Sequence, residues 1–191
     1  MRKRPAGLAA ATALLIAIAV AIVSAATGGS PPPKAPSGKI SLLDKPQSLE
    51  DRLPSALLEL PVADHFVAPS AARFATADGL RRFFLVPGRN QSICLIYTSG
   101  SGSDLVSGGT CSPLAGFLGN GIYFSEVLGP DEVSVALVVP DGYERAEING
   151  RVAPVRNNVA IVPPGPPGPV RLSGNSLLQL TVDIGEQTPA E

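Results

Sequence analysis

Tryptophan is absent from these 191 residues, histidine occurs once and cysteine twice. Two Cys and one His fall short of the four ligands that a structural zinc site needs, so no structural zinc site forms within one copy of the chain. Charge is scarce as well, at 16% of residues, while Gly and Pro number 20 each. That balance argues against long solvent-exposed helices and favours turns and short strands. Catalytic signatures are missing: there is no G-x-S-x-G elbow, H-E-x-x-H, P-loop, or G-x-G-x-x-G opening a helix. The stretch "SGSGSDL" is glycine-rich but lacks the strand-to-helix setting and the lysine of a phosphate cradle, and reads as a surface loop. "GPDE" (129–132) is an ordinary turn, without the alternating oxygen ligands of a calcium loop. A basic field is lacking too. The net charge is −1, and three positive charges sit at Arg2, Lys3 and Arg4, leaving the remainder acidic. Nucleic acid is therefore excluded as a partner.

What is present begins with export. Behind a basic tip (1–5), residues 6–26 carry no charge; as a helix they would span about 31 Å, enough to cross a bilayer. The basic tip stays in the cytoplasm and everything after Ser30 lies outside. The run reads as a single-pass transmembrane anchor or, alternatively, as a signal peptide cleaved after Val23-Ser24-Ala25, which releases a secreted domain. No cysteine lies near its end, which excludes a lipoprotein.

Residues 27–39, "TGGSPPPKAPSGK", form a Pro/Gly-rich linker whose Pro31-Pro32-Pro33 favours an extended, semi-rigid spacer. The exported β-rich domain is expected over 40–184, with a flexible tail at 185–191. Its start carries the one good helix signal. Ser48 and Asp51 have capping-box spacing, and Pro54 opens a short helix to Leu60 that Pro61 stops. Leu53, Leu57, Leu58 and Leu60 would form its buried stripe.

From about Ala71 the pattern is β. "RRFFLVP" and "SICLIYT" are short runs of aromatic and branched residues bounded by turn formers. In "EVSVALVV", Val133, Val135, Leu137 and Val139 share a face. In "SLLQLTVDI", Leu178, Leu180, Val182 and Ile184 face in while the alternate residues face water. Asp78-Gly79 and Asn149-Gly150 are two-residue hairpin signals, expected to join Arg73–Ala77 to Arg81–Val86 and Arg145–Ile148 to Val152–Val155. "PPGPPGP" (163–169) is too short for a collagen triple helix and reads as a stiff connector to a last hairpin around Gly174-Asn175. Seven to nine short antiparallel strands predict a small β-sandwich or open barrel with a short N-terminal helical segment, preceded by one transmembrane helix.

Cys94 and Cys111 flank "LIYTSGSGSDLVSGGT". They are too far apart for a thioredoxin-like centre, and export favours oxidation. A disulfide is expected, closing a loop of roughly 17 residues and contributing on the order of 3 kcal/mol. Asn90-Gln91-Ser92 matches a glycosylation sequon, a pattern short enough to arise by chance.

Several phrases taken in order resemble a family of uncharacterised, exported, membrane-anchored actinobacterial proteins: "ISLLDKPQSLEDRLP" (40–54), "FFLVPGRNQSICLIY" (83–97), "GGTCSP" (108–113), "LVVPDGYERAEI" (137–148) and "APVRNNVAIV" (153–162). The resemblance implies a membrane segment, a β-rich domain and a Cys pair. It carries no activity, so no catalytic, cofactor-binding or metal-binding residue is assigned and no cofactor is expected. The function expected from these features is a non-enzymatic envelope domain that binds or braces an unknown envelope protein or polymer and touches the membrane through its N-terminal helix. The alternative is an envelope hydrolase built around His65, the one imidazole able to act as a general base.

Overall fold

The computed structural model describes residues 39–100, 102–117, 121–174 and 179–182. The basic tip, the apolar run 6–26, the linker up to Gly38 and the tail 185–191 lie outside the described residues, and so do Leu178 and Ile184. Among the described residues no helix is long and apolar enough to cross a membrane. Among the described residues there are eleven strands: β1 (Arg73–Asp78), β2 (Arg81–Gly88), β3 (Ser92–Ser99), β4 (Val106–Pro113), β5 (Ile122–Gly129), β6 (Glu132–Val138), β7 (Arg145–Ile148), β8 (Arg151–Arg156), β9 (Val159–Gly165), β10 (Val170–Ser173) and β11 (Gln179–Val182). This exceeds the expected seven to nine, partly because "VSGGTCSP" is a strand rather than loop. β4 pairs with β3 in unbroken register from Ser92↔Pro113 to Ser99↔Val106.

The turns explain the antiparallel order. Asn149 (φ 48°) and Gly150 (φ 79°) both take positive φ, the requirement of a tight primed turn, and Ile148 pairs with Arg151 across it. Asn157 (φ 46°) and Asn158 (φ 64°) do the same between β8 and β9, a signal the sequence reading passed over. The first hairpin is shifted by one residue from its expected place. Asp78 stays in β1, paired with Arg81 in register and by charge, and Gly79-Leu80 form the tip. Gly79 (φ 59°) supplies the positive φ there.

These hairpins build two antiparallel sheets, one of order β1-β2-β3-β4 and one of order β11-β10-β7-β8-β9-β6-β5. Between them lies a shared core of Ala75, Phe83, Leu85 and Leu95 against Ile122, Ala136, Val138 and Val159. Arg81 of β2 also reaches Glu126 of β5 at 2.8 Å. The other face of the larger sheet buries Val135, Leu137, Val139, Ala146, Ala160 and Val170 in a second core. Val133, Val135, Leu137 and Val139 do share a face, as expected, but β6 has no wet side, because Ala136 and Val138 are buried on the opposite face.

The outer face of the smaller sheet, with Phe84, Val86, Cys94 and Ile96, is covered by Leu57, Phe66 and Ala72. The covering segment is a series of 3-10 turns at Ser41–Asp44, Leu49–Asp51, Ser55–Glu59, Pro61–His65 and Pro69–Ala71. The short helix expected over Pro54–Leu60 is therefore a 3-10 turn, held by Leu57 N–H to Pro54 and Leu60 N–H to Leu57. Prolines at 54, 61 and 69 restart the chain before an α-helical nucleus forms, and Pro61 opens the next turn rather than ending structure. With i→i+3 geometry the buried stripe shrinks: Leu57 is fully buried, while Leu58 is 41% and Leu60 36% exposed.

Candidate functional site

The Asn157-Asn158 turn places two side-chain amides where three distant segments meet. Asn158 is buried. Its Oδ1 accepts the Leu42 N–H at 3.0 Å, and its Nδ2 donates to the Val139 carbonyl at 2.9 Å and to Asp141 Oδ1 at 2.8 Å. Asp141 Oδ1 also accepts the Ser41 N–H at 3.1 Å. Asn157 faces the other way, donating to the Ala75 carbonyl at 2.9 Å and accepting from Lys45 Nζ at 3.1 Å. Ser41, Lys45, Asp141, Tyr143, Asn157 and Asn158 line an open cleft of about 410 Å³.

Burial pushes the Asp141 carboxyl up, but hydrogen bonds from Asn158 and Ser41 and the nearby Lys39 ammonium outweigh it, and the group ends below the ordinary carboxylate range. Asp141 is thus ionised at neutral pH. Burial alone raises the Tyr143 phenol above its usual value, so it stays protonated. The cleft presents one carboxylate, one ammonium, side-chain amides and the hydroxyls of Ser41 and Tyr143, a set able to hydrogen-bond a polar ligand. A second cleft, of about 300 Å³, lies between Thr76 and Asp78 of β1 and Arg156, Val159 and Pro163 of the larger sheet.

The cystine is present: Cys94 and Cys111 form a disulfide, with Cα atoms 4.0 Å apart. They face each other as register partners of β3 and β4. The bond is therefore a rung in a ladder rather than the clasp of a loose loop. Cys94 is fully buried beneath Leu57 and Phe66. His65 ends the Pro61–His65 turn and is exposed. It lines neither cleft, and its carbonyl accepts the Arg89 N–H at 2.8 Å. The sequon lies at the β2–β3 turn, where Asn90 is exposed with φ 56° and Ser92 Oγ donates to the Arg89 carbonyl at 2.7 Å. Among the described residues, no three His, Cys, Asp or Glu side chains gather as metal ligands would.

Sequence reasoning missed Asp141, Asn157 and Asn158 as a group. An Asn pair between two alternating apolar runs was the available signal, since Asn tolerates positive φ. No family model, curated protein or solved structure matches the chain.

Proposed function

We propose that this chain is an exported cell-envelope domain, held at the membrane by residues 6–26, whose work is to bind or brace an envelope protein or polymer rather than to catalyse a reaction. Its two sheets, sharing one core, are classed as a small β-sandwich. The observation that carries the reading is the Cys94–Cys111 cystine, because structural disulfides persist in oxidising compartments and are rare in the cytoplasm. The uncharged run behind Arg2, Lys3 and Arg4 gives the route there. The position of His65, exposed and outside both clefts, weighs against the hydrolase reading, since a general base works within hydrogen-bond reach of its substrate. Protease added to intact cells expressing the full chain should degrade the domain. Full protection overturns the topology, and N-terminal sequencing that starts at Ala26 shows cleavage instead of anchoring.

A further inference from the structure

β4 is an edge of the smaller sheet, and its pairing with β3 tells which of its peptide groups face outwards. In an antiparallel pair, opposed residues alternate between hydrogen-bonded rungs, with Cα atoms about 5.5 Å apart, and unbonded rungs at about 4.5 Å. The Cα atoms of Cys94 and Cys111 are 4.0 Å apart. Theirs is therefore an unbonded rung, and the Cys111 N–H and C=O point away from β3. By alternation, so do those of Gly109 and Ser107. Pro113 falls on the same side, where its missing N–H takes no bond from β3. Among the described residues, no further strand or side chain takes up the peptide groups of Ser107, Gly109 and Cys111. No residue of β4 is buried, and Val106, Gly109 and Pro113 are exposed.

Natural sheets blunt such rows with bulges, charges or very short strands. β1 and β5 each carry a register shift, between Phe74 and Thr76 and between Val127 and Gly129, and β11 has four residues. β4 instead runs for eight residues in unbroken register with β3, and no charged residue occurs from Leu105 to Ser125. An edge of this kind accepts an added strand, and its lack of charge points to which one. Two identical edges that meet antiparallel about a two-fold axis are self-complementary; like charges along them would repel, and here there are none. The axis falls at Gly109, the middle one of the outward residues. It sets Gly109 against its own copy and Ser107 against Cys111 of the second copy, each rung closing two N–H···O bonds. It also carries Val106, 58% exposed at the start of one β4, to the Leu114 end of the other, where Leu114 is 40% exposed. We propose that β4 is a self-association edge, through which two copies of this chain join their smaller sheets into one continuous antiparallel sheet. This goes beyond the reading of the chain as an envelope-binding domain and does not depend on it.

The test is sedimentation of the purified full chain in neutral detergent micelles, at concentrations up to about millimolar. A dimer whose fraction grows with concentration is expected. Ser107→Pro removes an outward donor and no bond to β3. It should weaken the dimer by roughly tenfold or more, with circular dichroism confirming retained β structure. NMR hydrogen exchange on the natural chain gives a second reading that needs no variant. The amides of Ser107, Gly109 and Cys111 should exchange quickly in dilute chain and about tenfold more slowly in concentrated chain. Those of Gly108 and Thr110, bonded to β3, should stay protected throughout. Monomer mass at the highest concentration overturns the proposal. So does a dimer that Ser107→Pro leaves unchanged, as one held together by residues 6–26 would be, or exchange at the three outward amides that ignores concentration. With purified chain the result does not depend on where the protein resides, so this proposal fails separately from the export reading.

Discussion

Asp51 shows how much one side chain can tie together. Its carboxylate accepts the Ser48 N–H within the Leu49–Asp51 turn and the Phe74 N–H of β1 at 2.6 Å. Burial raises its pKa, but the hydrogen bonds from Ser48 and Phe74 and the charge of Arg73 more than offset this, and the carboxyl ends below its ordinary value. Asp141 is depressed in the same way. A depressed carboxylate contributes stability above its unfolded pKa of about 3.9 and loses it as pH falls through the lower folded value. Asp51→Asn should therefore cost about 1–3 kcal/mol at neutral pH, and the gap to the natural chain should narrow as the pH falls below the unfolded carboxylate value of about 3.9, as read by denaturant unfolding across pH. The Ser48–Asp51 pairing was legible in the sequence because capping spacing is local. The Phe74 contact was not, since it depends on where β1 passes, and the Asp141–Asn158 cluster joins segments whose meeting no local pattern records.

Among the elements, β4 depends on what it lacks. A methyl group on Gly108 would stand 2.6 Å from the Tyr97 ring. Tyr97 instead packs over that bare backbone, its ring centroid 4.5 Å from that of Phe124 in β5 and 6.4 Å from that of Phe83 in β2. The glycines read in the sequence as signs of a loop are thus what let aromatic side chains link the two sheets. Gly108→Ala should destabilise by about 1–3 kcal/mol through overpacking, measured by urea unfolding followed by tyrosine fluorescence. The cystine in the same hairpin acts on the unfolded chain. Cys94→Ala with Cys111→Ala should lower stability by about 2–4 kcal/mol while the circular dichroism of the sheets persists, because the remaining rungs of β3 and β4 stay paired. The β1–β2 and β7–β8 hairpins were readable from turn chemistry, to within one residue at Gly79. The Pro54–Leu60 helix was misread because leucine spacing outweighed the effect of closely spaced prolines. "RRFFLVP" and "SICLIYT" do not alternate because β2 and β3 are covered on both faces.

At the scale of the whole molecule, the N-terminal turns belong to the domain as fully as any strand. Leu57 is fully buried against Phe84, Val86 and Ile96. Leu57→Ala should cost about 2–5 kcal/mol and lower the thermal midpoint of the entire domain in one transition; a separate early melting of the N-terminal turns alone would show that the cover is only an attachment. Side chains from other segments also meet β1. That strand is an edge of the smaller sheet. Asp51 accepts the Phe74 N–H and Asn157 donates to the Ala75 carbonyl, so two of its backbone groups are engaged by side chains rather than left for another strand. Rows of free backbone donors and acceptors are where copies of a β protein join edge to edge and polymerise. By capping part of that row, the fold blunts this edge as a seed for association between copies.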